Sequence, residues 1–113
     1  MLDKAEKFLI VRIGERHPEI PRSLRMKWAM NYNLEKENEH IFNSDMYDCE
    51  EDRAISMFEG MPEAELKTIS LLMYKHRADK HGGDHEKRIT ELEAEISGDS
   101  ELLEISTMDW WVP

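Results

Sequence analysis

Along most of this chain up to Ile105, apolar residues recur at spacings of three and four. That period constrains the fold most, because it sets one stripe of each segment on the inner side of an α-helix. Leu2, Ala5, Phe8, Leu9 and Ile13 open the pattern, with Asp3 and Glu6 early and Arg12 late, the charge order a helix dipole favours. Phe8 to Ile13 alone would also suit a strand, but no partner strand is evident and a lone strand leaves its backbone groups unpaired. Gly14 is expected to weaken or end this first helix. His17-Pro18-Glu19-Ile20-Pro21 reads as a rigid extended connector, since each proline disfavours helix in the residue before it.

Pro21 suits the opening of a second helix, running to about Tyr32 with Leu24, Trp28 and Tyr32 on one side and Met26 and Met30 beside them. The path through Glu35-Lys36-Glu37 is ambiguous between a frayed helix and an ordered loop that returns Ile41 and Phe42 to the core. Asp48 and Glu51 have the spacing of a capping pair for a helix over Cys49 to Glu59, ending at Gly60 and burying Ile55 and Phe58. Pro62, followed by Glu63 and Glu65, starts the strongest helix, expected to bury Leu66, Ile69, Leu72 and Met73 and to end near Gly82-Gly83. Asp84 suits the cap of a fifth helix with Ile89, Leu92 and Ile96, stopped by Gly98, and Asp99 that of a last turn carrying Leu102, Leu103 and Ile105. The expected fold is all-α: a single small bundle of four to six helices over 1–105, with an antiparallel C-terminal helical hairpin and a short acidic, aromatic tail over 106–113.

A chain of 113 residues is long enough for one modest core. Its formal net charge of -10 argues against coating nucleic acid or an anionic membrane through bulk charge. The charge is uneven: Met1 to Asp48 carries eight basic and nine acidic residues, Cys49 to Pro113 seven and sixteen. Cys49 is the single cysteine, so an intramolecular disulfide is impossible, and a reducing, cytoplasmic setting suits the chain. No apolar run reaches the roughly 18 residues a membrane-spanning helix needs. Most of the eight methionines are expected to fill the core.

After Arg88 the chain has no lysine or arginine, yet places Glu91, Glu93, Glu95, Asp99, Glu101, Glu104 and Asp109 before ending Asp109-Trp110-Trp111-Val112-Pro113. These acids and the two tryptophans are the candidate partner-binding residues. In one version the carboxylates imitate regularly spaced phosphates. In another, Asp109-Trp110-Trp111 is a docking peptide whose indole fills a pocket while nearby acids steer the approach. The blander reading gives a solvated acidic helix face and tryptophans folded back over their own core.

Other constellations carry less. His76, His81 and His85, with Asp79 and Asp84 between them, have metal-ligand chemistry, but the Gly82-Gly83 break removes the geometry of a His pair on one helix. No metal or other cofactor is assigned. Arg12 and His17 have four residues between them, a spacing that resembles the Arg-x4-His motif of HEPN-type ribonucleases; the resemblance would give both residues roles in RNA cleavage at a helical dimer interface. The match covers six residues, with Gly14 inside it and Pro18 directly after. Arg22, Arg25 and Lys27 beside Trp28 form one basic cluster, and Lys75, Arg77, Lys80, Lys87 and Arg88 another. Cys49 sits among Asp48, Glu50, Glu51 and Asp52, charges that oppose a reactive thiolate.

The resulting expectation is a non-enzymatic, cytoplasmic, acidic module that occupies a basic, nucleic-acid-binding type of surface on a larger protein, as inhibitor or adaptor, with a homodimer left open. In overall character it resembles the DNA-mimic and anti-defence proteins of bacterial viruses and mobile elements. The alternative is a nucleic-acid-binding regulator that uses the basic clusters at 22–27 and 75–88.

Overall fold

The computed structural model describes residues 4–37, 49–81 and 85–107, without the side chains of Lys36, Asp79, Lys80 and His81. Every element among the described residues is helical, as the apolar period predicts. The chain separates into two compact units, which meet in sequence at Asp48 and Cys49. That is also where the charge balance changes.

In the first unit, α1 (Lys4–Lys7), a π-helical turn (Phe8–Arg12) and α2 (Ile13–Arg16) follow without a break. The Ile13 N–H donates to the Phe8 carbonyl, one residue beyond the α-helical partner. This wider turn buries the consecutive residues Phe8, Leu9 and Ile10 together with Ala5 and Ile13. A regular α-helix would spread three consecutive side chains over most of its circumference. Of the weakening or ending expected at Gly14, an end does not occur there: the helix runs on to Arg16. Gly14 lies inside α2, with the Arg25 guanidinium packed where a Cβ would stand. The helix stops at His17, whose backbone (φ -132°, ψ 72°) has left the helical region ahead of Pro18, as that proline requires. The connector is a turn and not an extended rod: the Ile20 N–H donates to the His17 carbonyl at 3.0 Å, and Ile20 is buried.

Pro21 opens α3 (Arg22–Glu37), accepting from the N–H groups of Leu24 and Arg25. The helix outruns the expected end at Tyr32 and carries the ambiguous Glu35-Lys36-Glu37 stretch with it. Trp28, Ala29, Tyr32 and Glu35 form its buried side. Arg25 donates to the Ile10 carbonyl in the π turn, so α3 and the first helix are tied by a charged hydrogen bond as well as by apolar packing.

In the second unit, α4 (Glu50–Met57) starts from an extended Cys49 that makes no side-chain cap. Asp48 lies outside the described residues. Glu50, Glu51 and Asp52 in the first turn supply the negative charge that a helix start favours. Arg53, Ala54 and Met57 are buried with Phe58, whereas Ile55, expected inside, is 52% exposed. Gly60 adopts φ 89°, a left-handed conformation that costs other residues more, and Met61 then turns back onto the Phe58 carbonyl.

Helix α5 (Glu63–His81) is the centre of this unit: α4, α6 (Glu86–Glu95) and α7 (Ser100–Ser106) all pack on it. Every residue from Thr68 to Tyr74 is buried, so this helix has no solvent side along that stretch, as expected for a core helix. Its buried hydroxyls are satisfied locally, Thr68 donating to the Ala64 carbonyl and Ser70 to the Leu66 carbonyl. Leu92, Ile96, Leu102 and Ile105 close the core from α6 and α7. Asp99 caps α7 as expected, accepting from the N–H groups of Glu101 (3.1 Å) and Leu102 (3.2 Å). The proposed Asp84 cap lies outside the described residues. No helix among them is long and apolar enough to cross a membrane.

Candidate partner-binding surface

The acids chosen from the sequence fall on two short helices and play different parts. Glu91, Glu95 and Glu104 are exposed, while Glu93, Asp99 and Glu101 are half-buried. Glu91 and Glu95 share a face of α6, one turn apart, with Glu93 on the opposite side. Each takes up a cation of the same unit: Glu91 accepts from Arg88 at 3.1 Å, Glu95 lies 3.6 Å from Lys67 and 3.7 Å from Arg88, and Glu93 is 4.0 Å from Lys75. Asp99 is held by its own cap hydrogen bonds. Asp109, Trp110 and Trp111 lie outside the described residues.

Behind the α6 carboxylates is a polar cluster whose members no sequence spacing links. Glu51 on α4 accepts from Arg88 on α6 at 2.5 Å and 3.0 Å and from the Tyr74 hydroxyl on α5 at 2.9 Å. The Arg88 guanidinium, with help from the Tyr74 hydroxyl, holds the Glu51 carboxyl below its ordinary pKa although partial burial works against it. Burial, reinforced by Glu51, pushes the Tyr74 hydroxyl well above the usual tyrosine range. Hydrogen bonding to Glu51 likewise raises Arg88. A salt bridge in the unit's interior sits alongside: Glu50 and Arg53, both 2% exposed, lie 3.0 Å apart, and Arg77 reaches Glu50 at 2.9 Å. These partners are 3 to 37 residues apart, and the longer separations leave no local signature.

The second basic cluster is therefore absorbed into the unit. Lys75 donates to the Ser106 carbonyl at 2.9 Å, Arg77 holds Glu50 and Arg88 holds Glu51, leaving Lys87 exposed; the Lys80 side chain lies outside the described set. In the first cluster Arg22 and Lys27 are exposed, while Arg25 turns inward to Ile10.

The histidines do not come together as a described group. His76 is buried at 4% exposure, and His85 lies tilted against the Tyr74 ring, centroids 5.2 Å apart. The His81 and Asp79 side chains and all of Asp84 lie outside the described residues. Among the described residues no three His, Cys, Asp or Glu side chains are grouped to hold a metal. Arg12 pairs with Glu15 at 3.3 Å, and His17 lies 3.6 Å from Glu19 beyond the end of α2. Cys49 is a free thiol, half-buried.

Helix α3 carries one exposed apolar row. Met26, Met30 and Leu34 are spaced by four along α3 and stand 44%, 64% and 43% exposed. Of the other described methionines, Met57, Met61 and Met73 are buried, so core filling holds for these and fails on α3. Comparison of the chain with protein-family models, curated proteins and solved structures gives no match.

Proposed function

We propose that this chain is a non-enzymatic acidic binding module that works in the cytoplasm by occupying a basic surface of a larger protein, as inhibitor or adaptor. The supporting observation is the direction in which the second unit turns its charges. Arg53, Lys67, Lys75, Arg77 and Arg88 each hold a carboxylate of the unit, while Asp52, Glu59, Glu86 and Glu104 stand exposed outside these pairs. Cations used as internal clips leave an outer surface dominated by negative charge. Such a surface accelerates encounter with a basic one and repels nucleic acid.

The bundle reading belongs with this proposal. Lys67 facing Glu95, and Tyr74 facing His85, suit an antiparallel hairpin of α5 and α6. The tail with Trp110 and Trp111 would add the apolar anchor that sets residence time. The nucleic-acid-mimic version, with its bacterial-virus or mobile-element setting, draws less support. Glu91, Glu93 and Glu95 share their charge with Arg88, Lys75 and Lys67, whereas mimicry asks for carboxylates facing a groove.

The test is a pull-down from host lysate with three forms: full-length protein, a form ending at Thr107, and one with Glu91, Glu93, Glu95, Glu101 and Glu104 changed to glutamine. Each is washed at low and at moderate salt. Ending at Thr107 keeps the buried Leu102 and Ile105. The expected result is one basic partner whose retention falls on truncation, falls with the glutamines, and falls with salt. Equal retention by all three forms would remove the acidic surface and the tail from the interface. The exposed Arg22 and Lys27 favour the second reading, a nucleic-acid-binding regulator; DNA or RNA retained by the full-length or the shortened form would support it.

A further inference from the structure

We propose that two copies of this chain pair through α3, antiparallel, with Met30 of each copy at the two-fold axis. The pairing involves only residues of the first unit and does not depend on the acidic reading. Met26, Met30 and Leu34 lie on one row at intervals of four residues and are each more than 40% exposed. Rows of this spacing on two helices interdigitate at a crossing of about 50°. In a two-fold pairing at Met30 each row lies in the groove beside the other, so that Met26 of one copy packs near Leu34 of the other and the two Met30 side chains pack side by side. A symmetric interface needs such a self-complementary patch.

The charges at the ends of the row agree with this direction. Arg22 precedes Met30 by eight residues and Glu37 follows it by seven, so both lie roughly 10 to 12 Å from the axis. Antiparallel pairing therefore brings Arg22 of each copy toward Glu37 of the other, whereas parallel pairing sets like charges together. The first turn of α3 contains no acidic residue, so its dipole lacks the negative charge that a helix start favours. The second copy's Glu37 supplies it. Electrostatics also selects the half of the chain involved: Met1 to Asp48 is within one charge of neutrality, with eight basic and nine acidic residues, whereas Cys49 to Pro113 carries sixteen acidic against seven basic. Two copies repel through the second half and not through the first. The patch is far smaller than the about 1,600 Å² of a standard interface, so the dimer should be weak, with a dissociation constant on the order of 10 to 100 μM.

The experiment is sedimentation equilibrium of the full chain over about two decades of concentration spanning that range, for wild type, Met30→Glu, Arg22→Glu, Glu37→Arg and the double variant R22E/E37R, with circular dichroism of each. Met30 is 64% exposed, so its replacement should leave the helical signal unchanged. Expected are a concentration-dependent dimer and at least tenfold weaker association for Met30→Glu, where two carboxylates would face each other. Arg22→Glu and Glu37→Arg should each weaken it about two- to fivefold, and the double variant should restore it. A monomer throughout, or a dimer indifferent to Met30→Glu, would overturn the proposal. A dimer lost with Met30→Glu but not restored by the charge swap would overturn the antiparallel arrangement.

Discussion

The two units manage their surfaces in opposite ways. In the second, apolar side chains are largely enclosed around α5, and Arg53, Arg77 and Arg88 are drawn onto Glu50 and Glu51, so carboxylates outnumber cations outside. In the first, charge is nearly balanced and the outer side of α3 keeps two methionines and a leucine exposed. One half is arranged to stay apart from copies of itself, the other to tolerate contact. Net charge for the whole chain hides this division, because almost all of the excess comes from one side of residue 48.

The comparison fails first if the interior ion pairs of the second unit prove dispensable. Arg53→Ala leaves Glu50 with Arg77 alone at 2% exposure, and should cost about 3 to 5 kcal/mol by urea unfolding. A loss under about 1 kcal/mol would mean that Glu50 finds water or another partner.

A middle-sized effect concerns the Glu51 clip. Glu51→Gln should cost about 1 to 3 kcal/mol near neutral pH. The Glu51 carboxyl titrates below its ordinary 4.5 in the folded protein, so its contribution is fully present above pH 4.5 and is lost as pH falls through the lowered value. Wild type and variant should therefore converge in stability below that window. Parallel stability curves down to the acid limit would exclude the linkage.

The smallest effect sharpens the picture of the first unit. Gly14→Ala gains helix propensity, about 1 kcal/mol, but displaces the Arg25 guanidinium from its bond to Ile10, so the net change should be close to zero. In an Arg25→Ala background the same substitution should stabilise by about 1 kcal/mol. Equal effects in both backgrounds would separate Gly14 from Arg25.

The helical class and most element positions were legible because they follow from local spacing and capping: Pro21, Pro62, Gly60 and Asp99 act where their chemistry says they should. Ile55 was misread because one apolar residue at helical spacing does not reveal which side of a short helix faces inward. The end at Gly14 was misread because the residue permitting a close approach by Arg25 looks, in isolation, like a breaker. For the site, the acidic character of the second half was plain, but its internal balance was not. Nothing near Glu51 in sequence announces Arg88, 37 residues away, and so carboxylates that looked available on α6 turned out to share their cations.

The π turn at Phe8–Arg12 has a consequence for chain length. A turn closed one residue later than usual fits one more residue between bonded groups than an α-helical turn does. Removing one residue between Phe8 and Arg12 would then leave an α-helical turn at that point, with the helix on either side kept in phase.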